Sequence, residues 1–263
     1  MNKGNLTVLI TGATSGIGLE LAKVFYEQGH PLVLVSRNPQ KLRQVRAGFS
    51  DPSRVEILTQ DLSEPNAALE VFKKCQEMNL TIDVLVNNAG MGKMGEHVDI
   101  SPASTKDMIQ LNVLSLTLLS ALFGAEMKKM GRGYILNVGS TAGFLLAPYM
   151  ATYIASKHFI KSFSISIAKE LEDHGVIVRC LCPGPTETSF FEKTGKEAKF
   201  FFSPRLRASA EQVAQQGYYS LFRRGYICIP DWRNYLMTLL PRFFPYSLNA
   251  WVAKRLMRKS VSN

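Results

Sequence analysis

Short runs of β-branched and leucine residues alternate with segments whose apolar positions recur every three to four residues, from the start of the chain to about residue 230. The short runs predict strands over Leu6–Thr11, Leu32–Ser36, Val55–Thr59, Val84–Asn87, Tyr134–Val138, Val176–Leu181 and Tyr226–Ile229. The periodic segments between them predict helices over Ile17–Gln28, Pro39–Ala47, Pro65–Met78, Ser104–Met130, Thr152–His174 and Ala210–Arg223. This alternation predicts an α/β fold, a doubly wound parallel sheet with helices on both faces. No repeat, low-complexity run or linker breaks it, so residues 1–230 read as one domain and residues 231–263 as an extension of it.

Composition narrows the class. The 263 residues are 46% hydrophobic and 20% charged, which fits an ordinary globular core rather than a disordered or fibrous chain. Cys75, Cys180, Cys182 and Cys228 show no metal-ligand spacing, and His30, His97, His158 and His174 are scattered, so no metal site is expected. Unpaired cysteines point to a reducing, cytoplasmic compartment. The N-terminal residues lack a signal-peptide pattern. The longest apolar candidate, Leu111–Phe123, is broken by polar residues and reads as a buried helix rather than a membrane span.

The chemistry sits in three places. A glycine-rich turn, Thr11-Gly12-Ala13-Thr14-Ser15-Gly16-Ile17-Gly18, links the first strand to the first helix. Gly12 allows the tight turn, Gly16 lets backbone approach a pyrophosphate, and Gly18 lets the helix pack closely. The helix N-terminus offers free N–H donors to phosphate. At the end of the second strand stands Val35-Ser36-Arg37-Asn38, with serine where an acid would bind the ribose 2′-hydroxyl of NAD. Arg37 supplies a guanidinium for the 2′-phosphate of NADP, so NADP(H) is expected. Finally, Tyr153 and Lys157 lie four residues apart on one predicted helix face, with Ser140 upstream at the end of GYILNVGS. An ammonium near a phenol favours the phenolate, so the Tyr153 pKa is expected to fall and make a general acid/base.

Together with Asn87-Asn88-Ala89-Gly90, Asn112 and Pro183-Gly184, these motifs resemble the short-chain dehydrogenase/reductase family, in order and spacing, over roughly residues 5–230. The resemblance implies a seven-stranded Rossmann fold and hydride transfer between NAD(P) and a carbonyl or alcohol. It implies that Gly12, Thr14, Ser15, Gly16, Ile17, Gly18, Arg37, Asp61, Leu62, Asn88, Pro183, Gly184 and Thr188 hold the cofactor, with Asp61 at the adenine and Thr188 at the carboxamide. Ser140 would bind the substrate oxygen and Tyr153 would donate the proton. Lys157 would hold the ribose and Asn112 a water leading to solvent. It also implies dimers or tetramers built on the two long helices, for which Leu114, Leu118, Leu122, Phe159 and Phe163 are candidate contacts.

The substrate class comes from the remainder. Residues 189–208 contain Phe190, Phe191, Phe200, Phe201 and Phe202, too apolar for a solvated loop, and read as a lid over an apolar substrate. Phe144, Leu145, Leu146 and Tyr149 would form a second wall. From Asp231 on, aromatic and aliphatic residues mix with Arg233, Arg242, Lys254, Arg255, Arg258 and Lys259, giving +5 of the chain's +10. Pro241 and Pro245 predict two short helices there. These suit docking of the apolar face on the protein itself, with peripheral membrane contact as a secondary role. Nothing else forms a basic stripe for nucleic acid. An oxidoreductase of small apolar carbonyls or alcohols leads. A catalytically silent NADP(H)-binding regulatory or scaffold protein is the rival, and the complete Ser140, Asn112, Tyr153 and Lys157 set argues against it.

Overall fold

The β-branched runs form seven parallel strands: β1 Val8–Thr11, β2 Leu32–Ser36, β3 Val55–Thr59, β4 Val84–Asn87, β5 Gly133–Val138, β6 Val176–Leu181 and β7 Ile227–Cys228. The computed structural model describes residues 5–186 and 207–261. The sheet order is β3-β2-β1-β4-β5-β6-β7, doubly wound as the alternation predicted and of the Rossmann type that the resemblance implied. β1 starts two residues later than expected. The Leu6 and Thr7 N–H groups donate to the His30 ring and the Asp83 carboxylate, not to a ladder partner.

The helices are α1 Gly16–Glu27, α2 Pro39–Ala47, α3 Ala67–Glu77, α4 Pro102–Ile109, α5 Leu116–Met130, α6 Ala151–Leu171, α7 Ala210–Ser220, α8 Trp232–Leu239 and α9 Tyr246–Val261. They cover both faces because every central strand is apolar on both sides. Val8, Ile10, Leu32 and Leu34 pack with Leu21 and Phe25 of α1 and Val213 and Tyr218 of α7. The alternate residues Leu9, Val33 and Val35 pack with Val71 of α3 and with Leu119, Phe123 and Met127 of α5. β1 and β4 are neighbours, although two strands separate them in the chain. At that switch point the carboxyl ends of the strands part into a crevice, the usual ligand site of such sheets.

Several expectations change. The predicted helix Ser104–Met130 is interrupted by a π-helical segment, Gln110–Ser115, between α4 and α5. The whole path Pro102–Met130 is long and apolar enough to cross a membrane, contrary to the sequence expectation. It is nonetheless a core helix, burying Met108, Leu116, Leu119, Phe123 and Met127 inside the fold. At the C-terminus the prolines do divide two helices, but α9 runs for 16 residues. Moreover, its large apolar residues are not tucked onto the protein: Trp232, Leu240, Phe243, Tyr246, Trp251 and Leu256 are all exposed.

Tight approach at the first turn yields a stability prediction. A Cβ on Gly18 would meet the Asn88 amide and lie 2.5 Å from the Gly12 carbonyl oxygen. Gly18→Ala should therefore cost about 1–3 kcal/mol in urea unfolding, the usual range for overpacking. Gly48→Ala, where the nearest atoms stand at an ordinary 3.4 Å, should be close to neutral. Equal stability of the two variants would contradict the packing described.

Candidate active site

Four chain segments meet at the β1/β4 crevice. Gly12 and Gly16 hold positive φ angles of 67° and 56°, a region costly for side chains bearing a Cβ. At Gly12 a Cβ would also sit 2.9 Å from the Ala89 Cα. Asn88 fastens the turn to β4, its amide donating to the Thr11 carbonyl at 2.9 Å and the Gly12 carbonyl at 3.3 Å. The Thr11 hydroxyl accepts from the Asn88 and Ala89 N–H groups. Ser15 caps α1 without a side-chain hydrogen bond, so the first turn keeps donors for an anion. Ile17 packs into the core beneath. A dinucleotide pyrophosphate fits a cradle of this kind, open at the backbone and closed to side chains.

The second edge of the crevice is polar. The Ser36 and Thr14 hydroxyls are hydrogen-bonded at 3.1 Å, joining the end of β2 to the turn. Arg37 is exposed and stands 3.8 Å from the Asp61 carboxylate. Burial pushes the Asp61 pKa up, but hydrogen bonds from Ser63 and the Arg37 charge outweigh it and leave it below the usual value. Leu62 is buried alongside, and its carbonyl accepts from Ser115 in the π segment at 2.6 Å.

Tyr153, Lys157, Ser140 and Asn112 converge as the spacing predicted. Ser140 follows β5, and its hydroxyl lies near enough to the Tyr153 phenol to act on its pKa. It also accepts from the Ala142 N–H at 3.0 Å, which fixes its direction. Lys157 is 6% exposed and donates to the Val138 carbonyl at 2.9 Å. Gly90 separates it from Asn112: a Cβ there would lie 3.8 Å from Lys157 Nζ and 3.3 Å from Asn112 Oδ1. Asn112 is clamped in turn. It accepts from the Met91 N–H at 2.9 Å and donates to the Met91 carbonyl at 2.8 Å and the Ser156 hydroxyl at 3.1 Å. Both amide donors are thus used, and Asn112 retains acceptor capacity alone for a water.

The electrostatics depart from the sequence expectation. The Tyr153 pKa is not lowered. Burial pushes it up to about 12, against a smaller opposing effect of the Ser140 hydroxyl. Burial lowers Lys157 to about 8. The reason is distance: Nζ lies 5.8 Å from the Tyr153 ring centroid and is turned to the Val138 carbonyl. Desolvation therefore dominates at each group, and at Lys157 the nearby Cys180 and Cys182 offset it only in part.

The surroundings are apolar. Tyr153 packs with Tyr149, Met94, Met150, Ile154 and Met257, the last contributed by α9. Tyr149 holds a φ of 70°, and its carbonyl accepts from Gly95 at 2.9 Å. Pro183 follows β6, and its carbonyl accepts from Thr141. Gly184 lies against Asn234 of α8, where a Cβ would come 2.5 Å from Oδ1. Thr188 and residues 189–206 of the expected lid lie outside the described residues. Thr186, the nearer threonine, bridges to Ala208 and donates to the Gly184 carbonyl. Sequence reasoning missed Ser156, which donates to the Tyr153 carbonyl and so ties the catalytic helix to Asn112. It also missed the buried Asn87–Asn137–Ser164 chain joining β4, β5 and α6. Asparagines closing the apolar runs VLVN and YILN were the available signal.

Known proteins share this fold. The short chain dehydrogenase family model matches residues 6–199. Dehydrogenase/reductase SDR family member 7B from Bos taurus is 30% identical over 91% of this chain and 79% of its own. The very-long-chain 3-oxoacyl-CoA reductase of Coccidioides immitis is 31% identical over 87% of this chain and 67% of its own. A short-chain dehydrogenase from Sphingobium yanoikuyae in complex with NADPH superposes with a TM-score of 0.80 at 31% identity, covering 90% of this chain and 94% of that one. The chain belongs to the short-chain dehydrogenase/reductase family of nicotinamide-dependent oxidoreductases.

Proposed function

We propose that the protein is an NADP(H)-dependent oxidoreductase acting on the carbonyl or alcohol of an apolar substrate, 3-oxoacyl, steroid-like or long-chain. The observation that carries this reading is the convergence of Ser140 on the Tyr153 phenol, with the buried Lys157 one helical turn away. The 3-oxoacyl-CoA and NADPH named for two relatives support the substrate class and cofactor. Four free thiols fit a reducing cytoplasmic setting. Exposed Leu114, in the π segment before α5, and Phe159 of α6 support assembly into a homo-oligomer through the two long helical faces.

The chain's own groups divide the work. Gly12, Thr14, Ser15, Gly16, Ile17 and Gly18 would hold the pyrophosphate. Asp61, Leu62 and Asn88 would line the adenosine half, and Pro183, Gly184 and Thr188 the nicotinamide half. When bound, the nicotinamide supplies or accepts the hydride. Ser140 donates to the substrate oxygen, and Tyr153, neutral because burial holds its pKa high, gives up its proton there as charge develops. Lys157 orients the ribose and, charged, favours the phenolate left behind. The Met94, Met150, Ile154 and Met257 cluster excludes water from the transfer.

Tyr153→Phe should leave NADPH affinity within about twofold while removing at least a hundredfold of kcat, the usual contribution of a general acid. Lys157→Ala should reduce both. Retained turnover in Tyr153→Phe, measured as NADPH oxidation with a panel of apolar ketones, would place the acid elsewhere.

The cofactor choice rests on Ser36 and on Arg37, whose guanidinium is exposed at the crevice edge with Asp61 as a loose partner. Replacing Ser36→Asp and Arg37→Ala should weaken NADPH binding by about 10- to 150-fold, the loss of one charged hydrogen-bonding contact worth about 1.5–3 kcal/mol, and spare NADH. Equal affinity of the unaltered protein for both cofactors would overturn the assignment.

A further inference from the structure

Helices α8 and α9 have their polarity reversed. In α8 the buried positions are polar, Asn234 and Thr238, while Trp232, Leu236 and Leu240, at i, i+4 and i+8, face solvent. In α9 the protein-facing positions are Ala250, Ala253 and Met257, and the large residues Leu248, Val252 and Leu256 repeat the same spacing on the outside. Trp232 is 68% exposed, Phe243 79% and Tyr246 81%. Water is a poor solvent for such a surface, and monomeric proteins rarely leave one this apolar uncovered.

Its cations identify the occupant. From Trp232 to Asn263 the chain carries six Lys and Arg residues and no Asp or Glu. Arg233 lies over the Trp232 ring and Arg255 over the Trp251 ring, each 5.6 Å from the centroid. Aromatic rings with cations beside them, flanking an aliphatic stripe, suit the depth where acyl chains meet headgroups. A second copy of this chain fits badly, since a two-fold contact would oppose two faces of like charge.

We propose that α8, the Leu240–Phe243 turn and α9 form an interfacial surface that seats the protein on an anionic bilayer. The opposite face of α9 carries Met257 into the cluster around Tyr153, so one helix separates lipid from the candidate active site. On the reading given above, an apolar carbonyl substrate dissolved in the bilayer would enter beside α9. This clause rests on the proposed function, whereas membrane seating does not.

Trp232 and Trp251 are the chain's two tryptophans, so its tryptophan emission reports this surface alone. Full-length protein is titrated with phosphatidylcholine vesicles containing a quarter phosphatidylserine, and with pure phosphatidylcholine vesicles, at low and high salt. The anionic vesicles should shift emission to the blue and carry the protein into the pellet, and salt should release it by screening. Lys254→Gln, Arg255→Gln and Arg258→Gln should each weaken partitioning by about fivefold, and together by about a hundredfold. Leu248→Ser with Val252→Ser and Leu256→Ser should abolish it while NADPH binding, measured in parallel, shows that the variant is folded. Without vesicles both tryptophans should be quenched by acrylamide. Emission unmoved by anionic vesicles at low salt would overturn the proposal. So would tryptophans shielded from acrylamide in vesicle-free protein, with shielding that grows with protein concentration as a second copy covers them. Vesicle binding without ketone reduction would leave it standing and count against the catalytic reading alone.

Discussion

A lysine ammonium held where water barely reaches is the constraint around which this site is arranged. Lys157 projects from α6 beneath the end of β5 and has one carbonyl, that of Val138, within hydrogen-bonding distance at 2.9 Å. Burial lowers its pKa from the ordinary 10.5 to about 8. At about 1.36 kcal/mol per unit, keeping it charged in the fold costs about 3 kcal/mol below pH 8, and that cost is relieved as pH rises from 8 towards 10.5. The fold tolerates the cost because β4, β5, the π segment and α6 are cross-linked around the lysine. Asn87, Asn137 and Ser164 form one buried chain, and Asn112 and Ser156 another. On the proposed function, a group able to accept hydrogen bonds from the ammonium would offset that cost and hold the charge that acts on Tyr153.

Much of this was legible in the sequence. The strands were found nearly to the residue because a parallel sheet buried on both faces demands continuous β-branched runs, and few other structures do. Gly12 and Gly16 were legible because a strand–turn–helix phosphate loop calls for their positive φ angles, and Ser140, Tyr153 and Lys157 because their spacing could be read as a pattern. The Tyr153 titration was not. An i,i+4 spacing fixes which face two side chains share but not where a flexible lysine directs its ammonium, and here the Val138 carbonyl takes it. The clamp on Asn112 was equally hidden, since Met91 and Ser156 come together with it only when the strand ends and helices assemble.

The C-terminal segment shows the same limit in another form. Its periodicity announces amphipathic helices, but periodicity does not say which face the protein keeps. Gly184 decides it for α8: without a Cβ there, the amide of Asn234 can lie against the backbone after β6, so the polar face turns inward. Ala250, Ala253 and Met257 do the same for α9. A segment expected to dock its apolar face on the protein thus sends Met257 into the cluster around Tyr153 and leaves its larger apolar residues outside.

Whether burial holds Lys157 below its ordinary pKa until a cofactor binds is open to calorimetry. NADPH binding is measured near pH 8 in buffers of different ionisation enthalpy, which reads the protons exchanged per cofactor bound. At that pH the 2′-phosphate is already fully ionised, its second pKa being about 6. The account predicts net uptake, up to about half a proton, as ribose hydroxyls accept from Lys157 and raise its pKa, and no uptake in Lys157→Met. Binding without proton uptake in the unaltered protein, or uptake of equal size in the variant, would contradict it.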